Sequence, residues 1–160
     1  MTKLFDFENP QVDQSELEET LRTKIQEYKV IGLSANQEGY DVRVFAMNSE
    51  DKGIVFFYNP EIRQSSRTTT TMKEGDARYP DVFITLKRPK SIEVEYYNSQ
   101  GEKQTLWLEG VAARCALHEI DSLNNIEFID RASKLKLERA LKKKRKDEKR
   151  KARINALMGM

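Results

Sequence analysis

The residues best suited to hydrolytic chemistry form the segment His118-Glu119-Ile120-Asp121-Ser122. On a helix, positions i and i+4 share a face, so two histidines there can hold zinc while an adjacent glutamate moves protons. Here the i+4 position is Ser122, and a neutral hydroxyl is a poor ligand for a cation that prefers thiolate and imidazole. His118 is the only histidine, which excludes any site that needs two from this chain. Taken alone, the segment is more typical of a structural histidine than of a metal centre.

The composition bounds the class of protein. The chain has 160 residues, 38% of them hydrophobic and 34% charged, which is enough for one main domain with a core. A single cysteine, Cys115, excludes an internal disulfide and a cysteine-rich zinc knuckle. No apolar run approaches the roughly 20 residues that cross a bilayer, and the N-terminal residues show no secretory signal pattern. We expect a soluble cytoplasmic protein with no membrane partner.

The charge is distributed unevenly along the chain. Residues 131–153 contain 13 of the 28 Lys and Arg residues but only three of the 26 acidic ones. This segment therefore carries a net charge of +10, and the rest of the chain carries −8. An acidic body with a basic tail predicts a polyanionic partner.

The spacing of the hydrophobic residues predicts where the helices and strands lie. Ser15 and Glu18 resemble a capping box at the start of a first helix, which ends near Val30. A second helix is expected from about Glu109 to Asn124, and a charged third helix from about Ala132, with Ser133 a possible N-cap. Between the first two helices, short β-branched and aromatic runs predict six strands: Arg43–Met47, Ile54–Tyr58, Thr68–Met72, Val82–Leu86, Ile92–Tyr97 and Gln104–Leu108. This order favours an α+β fold over repeated βαβ units.

Three segments in order, Ile31–Gln37, Glu74–Pro80 and the one that begins at His118, resemble the motifs of the peptide deformylase family. The similarity starts near Tyr28 and covers about three-quarters of the chain. It implies short strands in antiparallel sheets around a central helix that carries the HEID sequence. The expected organisation is a deformylase-like domain over residues 1–130 and a basic helical extension over residues 131–160.

The resemblance also implies where a metal would bind. The family's cysteine ligand and its two histidine ligands fall at Asp76, His118 and Ser122. Only His118 is retained, so we expect no bound cofactor, or zinc or ferrous iron if an Asp/His-centred site has formed. A reorganised site that uses Glu119, Asp121 or Cys115 is an alternative, although Cys115 fits a core position better.

The family's catalytic and groove positions are partly retained. Glu119 matches the general acid/base, and Gln37 matches the side chain that stabilises the oxyanion. Ala77 falls where a backbone N–H contributes to the oxyanion hole. In the substrate groove, Gly32 matches a motif glycine, whereas Arg78 replaces a small serine with a large cation.

The basic extension resembles the C-terminal helix through which bacterial deformylases of this type bind the ribosome beside the nascent-chain exit. Residues 131–153 contain no aromatic residue, which predicts contact with phosphates and not base stacking, and no DNA specificity. The candidate ribosome- and RNA-binding residues are all cations: Lys134, Lys136, Arg139, Lys142, Lys143, Lys144, Arg145, Lys146, Lys149, Arg150, Lys151 and Arg153. A merely solvated tail and a general RNA-binding module remain alternatives.

Together these features predict a deformylase-like protein, similar to phage-encoded versions, that is catalytically impaired or inactive. Its expected partners are ribosomal RNA and proteins at the tunnel exit, together with the nascent peptide. The alternative is an active metal-dependent enzyme that removes the formyl group from nascent N-terminal methionine.

Overall fold

The computed structural model describes all 160 residues and has the expected α+β composition. Three α-helices span Gln14–Tyr28 (α1), Gly110–Leu123 (α2) and Lys134–Leu157 (α3). Seven strands, β1 to β7, span Gly32–Ser34, Val44–Ser49, Gly53–Ser65, Thr69–Asp76, Tyr79–Pro89, Ser91–Tyr97 and Lys103–Glu109. Single 3-10 turns lie at Ala35–Glu38 and Phe128–Arg131. No helix is both long enough and apolar enough to cross a membrane.

The chain forms two compact units. The first, unit 1, contains residues 1–70 and 87–127, and the second, unit 2, contains residues 71–86 and 128–160. The boundary after residue 130 that the sequence suggests stays a prediction.

Unit 1 is built on a five-stranded antiparallel sheet in the order β1-β2-β3-β6-β7. Strand β2 is buried on both faces: Val44 and Ala46 join the apolar cluster around α1, while Phe45 and Met47 join the cluster around α2. Because side chains alternate along a strand, the two helices cover opposite faces of the sheet. The uninterrupted apolar run of β2 follows from this double burial.

Helix α1 begins earlier than the sequence predicts. Asp13 is the N-cap, and its carboxylate accepts a 2.8 Å hydrogen bond from the backbone N–H of Glu16. The predicted cap, Ser15, lies inside the first turn, so that prediction is wrong. Aspartate and serine cap helices about equally well, and the spacing of the apolar residues did not distinguish them.

A short turn joins β6 to β7. The Asn98 side chain accepts hydrogen bonds from the backbone N–H groups of Gln100 and Glu102, and Gly101 has a φ of 75°. Asparagine and glycine are suited to such a turn because one mimics backbone hydrogen bonding and the other tolerates positive φ. This short turn sets β7 in register immediately before α2.

Unit 2 joins the hairpin β4–β5 to α3. Val82, Ile84 and Leu86 alternate inward along β5 and pack with Phe128, Leu137 and Ala140. Ser133 caps α3, as the sequence predicts, by accepting a hydrogen bond from the Lys136 backbone N–H. No residue of α3 is fully buried, so only its first turns pack against the unit.

Candidate active site

Ser122, one of the predicted ligand positions, lies in a buried hydrogen-bond network of unit 1. Its hydroxyl is 2% exposed and lies 2.9 Å from the hydroxyl of Ser34, which donates to it. The Asn36 side-chain amide donates to the Ser122 carbonyl at 2.7 Å. The hydroxyl thus helps to join α2 to the segment that follows β1, which is a structural role.

Gln37 and Glu119 lie together, as the resemblance implies. The Gln37 amide nitrogen is 3.3 Å from a carboxylate oxygen of Glu119 and 3.3 Å from the Ser122 hydroxyl. Glu119 is 4% exposed, and Gln37 stands on the 3-10 turn at Ala35–Glu38. The general acid/base position and the oxyanion position are therefore within hydrogen-bonding distance in this fold.

Gly32 permits the close approach of β1 to α2. A Cβ atom at this position would collide with Cys115 Sγ and would lie 3.2 Å from Glu119 Cγ. Glycine is required here because a side chain would not fit between β1 and α2, and not because the backbone has a positive φ. Its assignment to a substrate groove stays a prediction.

Sequence reasoning did not find the anchors of α2. Arg88 donates to the Asp121 carboxylate at 2.8 Å, and both residues are buried. Arg43, which is also buried, donates to the Asn124 side chain at 2.7 Å, and desolvation lowers its pKa. These arginines are far from α2 in the sequence. Their burial, which is unusual for charged side chains, distinguishes them only once the structure is known.

The second predicted ligand position, Asp76, lies at the end of β4 in unit 2, and Ala77 and Arg78 form the turn before β5. The Arg78 guanidinium holds both oxygens of the Asp76 carboxylate, at 3.1 and 2.9 Å, and the Arg78 backbone N–H adds a 2.8 Å bond. The Asp76 side chain is only 1% exposed. Such a two-pronged ion pair is strong and geometrically specific.

The chemistry of these donors does not fit a hydrolytic metal. The set is one imidazole, one carboxylate held by a guanidinium and one hydroxyl held in a network, where catalytic zinc takes three nitrogen, sulfur or carboxylate ligands. The structure contains no group of three or more His, Cys, Asp and Glu side chains arranged to hold a metal ion. The roles assigned to Asp76, His118 and Ser122 stay predictions.

The twelve predicted RNA-binding cations all lie on α3, as expected. The Lys136 ammonium donates to the Thr85 carbonyl of β5 at 2.9 Å and so also secures the helix to its unit. Lys144 lies 3.9 Å from Glu148. The helix therefore presents a basic surface, with twelve cations against the three acidic residues Glu138, Asp147 and Glu148.

The fold defines an α+β protein whose sheet supports a central helix with an HEID sequence, and the family model described as polypeptide deformylase matches residues 3–138. The peptide deformylase of Brucella suis is 39% identical over 120 residues, covering 72% of this chain and 69% of that protein. The chain belongs to the peptide deformylase family.

Solved structures agree with this assignment. A peptide deformylase from Synechococcus elongatus, in complex with actinonin, has a TM-score of 0.79 at 30% identity, covering 89% of this chain and 78% of that one. A probable peptide deformylase from Synechococcus phage S-SSM7 has a TM-score of 0.71 at 30% identity, covering 82% of this chain and 100% of that one. The predicted family and fold class are confirmed.

Proposed function

We propose that this deformylase-family protein is catalytically impaired and acts by binding the ribosome through α3. The proposed loss of catalysis is supported by one observation: the side chains at both substituted ligand positions already form hydrogen bonds within the protein. The Asp76 carboxylate is bound by the Arg78 guanidinium. The Ser122 hydroxyl is hydrogen-bonded to the side chains of Ser34, Asn36 and Gln37. Recruiting either group to a cation would break bonds that the folded state already satisfies, and a broken buried bond leaves a costly unsatisfied group.

The loss of affinity expected from these changes is large. Substitutions in the residues that merely support metal ligands weaken binding by about 10–100-fold. Replacement of the ligands themselves removes more, so Glu119 faces water that no cation has made acidic. The retained pair of Gln37 and Glu119 then has no activated nucleophile to serve.

Restoration of the family's ligands tests this half. The protein is purified anaerobically, and its iron, nickel and zinc contents are measured beside the turnover of a formyl-Met peptide. We expect substoichiometric metal and no turnover for the native chain. We expect Asp76→Cys with Ser122→His to retain metal, and each single variant to retain less. Stoichiometric metal with turnover in the native chain, abolished by Glu119→Ala, would overturn the proposal in favour of an active deformylase.

The second half rests on the charge of α3. Its exposed cations extend beyond Leu137 and Ala140, the α3 residues that join the apolar cluster of unit 2. Neutralising several phosphates gives sequence-independent affinity that falls steeply with salt. Ribosomal RNA near the tunnel exit, in the cytoplasm, is the polyanion that the family resemblance favours.

Co-sedimentation with ribosomes over a salt series tests binding. The test variant is a truncation after Leu141, which keeps Leu137, Ala140 and Lys136 in their packed positions. We expect binding that weakens with salt and is lost on truncation. The matched control changes four unit 1 lysines to glutamate: Lys29, Lys52, Lys90 and Lys103. Salt-insensitive binding, or equal loss in the control, would refute the role of α3.

A further inference from the structure

A cleft of about 460 Å³ lies within unit 2, between the hairpin β4–β5 and the outer part of α3. Its volume is within the roughly 300–1,000 Å³ of small-ligand clefts. Lys73 and Phe83 line it from the hairpin, and Lys143, Arg150 and Lys151 line it from the helix. The cleft is separate from the residues discussed as a hydrolytic site.

Phe83 supplies an exposed aromatic surface in this cleft. It alternates with the inward-facing Val82 and Ile84, and it is 53% exposed. The ring packs over Gly75, where a Cβ atom would come within 2.9 Å of it. The Lys73 ammonium lies 5.7 Å from the ring centroid. A large apolar ring next to cations and open to solvent is unexplained by the packing of unit 2.

The charges around the ring favour an anion. Five cations line the cleft, because Lys144 joins the four already named, against three carboxylates at Asp81, Asp147 and Glu148. Glu148 lies 3.9 Å from Lys144, so these two charges offset each other, and four cations remain against two carboxylates. Lys143 and Arg150 are seven residues apart, as are Lys144 and Lys151, so each pair lies on one side of the helix.

We propose that this cleft binds an unpaired nucleotide of RNA, with its base stacked on Phe83 and its phosphates held by Lys73 and the α3 cations. Stacking on an aromatic ring combined with a basic groove is the usual means of holding single strands. The sequence suggested phosphate contact alone because α3 has no aromatic residue, but the fold supplies one from β5. The inference rests on the proposed binding of RNA by α3, which it makes more specific.

Paired titrations test it. Fluorescence anisotropy measures the affinity of the full chain for a labelled single-stranded oligo(A) and for a blunt-ended RNA duplex with the same number of phosphates. We expect Phe83→Leu to weaken single-strand binding by about 5- to 150-fold, the value of one stacked base. Binding to the duplex should not change, because its bases are paired and Phe83→Leu leaves the charge of the cleft unaltered. Trp107→Leu, at a residue 47% exposed in unit 1, is the matched control and should change neither.

A second variant keeps the inference testable if Phe83→Leu fails to fold. In Phe83→Trp with Trp107→Phe, the single indole lies in the cleft, and its fluorescence should be quenched by oligo(A). An unchanged ratio of the two affinities in Phe83→Leu, or no quenching, would overturn the inference. If ribosome binding is still lost on truncation after Leu141, the proposed function survives that failure. If the native chain binds neither ribosomes nor RNA, both fail.

Discussion

At the scale of single residues, the polar side chains at two predicted ligand positions are each satisfied by a neighbour. The buried Ser122 hydroxyl is hydrogen-bonded to Ser34 and Gln37. The Asp76 carboxylate is a buried charge, and Arg78 two residues later neutralises it. Each group thus has a partner that offsets the cost of its burial.

The buried ion pair of Arg88 and Asp121 is expected to matter for stability. Arg88→Met removes the arginine that pairs with the buried Asp121 carboxylate, and the free energy of unfolding should fall by about 3–5 kcal/mol. Asp121→Leu added to Arg88→Met should recover most of the loss. Urea denaturation followed by the fluorescence of Trp107, which lies in the same unit, measures both.

An exposed pair provides the control for that prediction. Arg63 and Glu95 lie 2.6 Å apart on the surface of the sheet, and Arg63→Met should change stability little because water screens such pairs. Equal losses for Arg63→Met and Arg88→Met would contradict the role given to burial.

At the scale of elements, a hydrogen bond from a buried tyrosine connects β3 to α1. The Tyr58 hydroxyl donates to the Glu18 carboxylate at 2.7 Å, and burial together with this bond raises the Tyr58 pKa. Tyr58→Phe should lower the free energy of unfolding by about 1 kcal/mol near neutral pH.

The same variant has a pH signature. Because the folded pKa is raised, the contribution of Tyr58 is complete below the ordinary tyrosine value of 10.0. Above that value the unfolded chain ionises at this position and the folded chain does not, so the native protein loses stability as pH rises. The difference between the native chain and Tyr58→Phe should therefore shrink in alkaline urea titrations. A constant difference would mean that the hydroxyl has an ordinary pKa.

Sequence pattern predicted the long elements better than the short ones. The predicted second helix, Glu109–Asn124, differs from α2 by one residue at each end, since its apolar face is continuous. Strand β1 has three residues, too few to show a period, and the sequence analysis missed it. Strand β4 continues through Lys73, Glu74 and Gly75, whose types disfavour strands, because β5 pairs with it.

The candidate site was predicted by type and position but not by its bonds. The sequence identified Asp76 and Ser122 as altered ligands and Arg78 as an unexpected cation. It could not show that Arg78 binds Asp76, since an arginine two residues away can equally point to solvent. The cleft at Phe83 could not be predicted from the sequence either, because its lining residues come from two segments about 60 residues apart that only the fold brings together.

At the scale of the whole molecule, the two compact units carry net charges of opposite sign. Unit 1 contains 13 basic and 19 acidic residues, a net charge of −6, and unit 2 contains 15 and seven, a net charge of +8. A polyanion is repelled by one unit and attracted by the other, which orients the protein during an encounter. Under the proposed binding of RNA, affinity and the direction of approach both follow from this charge distribution.

Lysine footprinting of the ribosome-bound protein tests this orientation. An amine-reactive reagent is applied with and without ribosomes, and modified peptides are quantified by mass spectrometry. We expect protection at Lys142–Lys146, and at Lys73 if the nucleotide cleft is occupied, while exposed unit 1 lysines such as Lys3 and Lys52 keep their reactivity. Raising the salt should restore reactivity on α3 in step with dissociation, because the contact is electrostatic. Uniform protection of both units would show that ribosome contact does not follow the charge distribution, since the acidic unit would then be held as closely as the basic one.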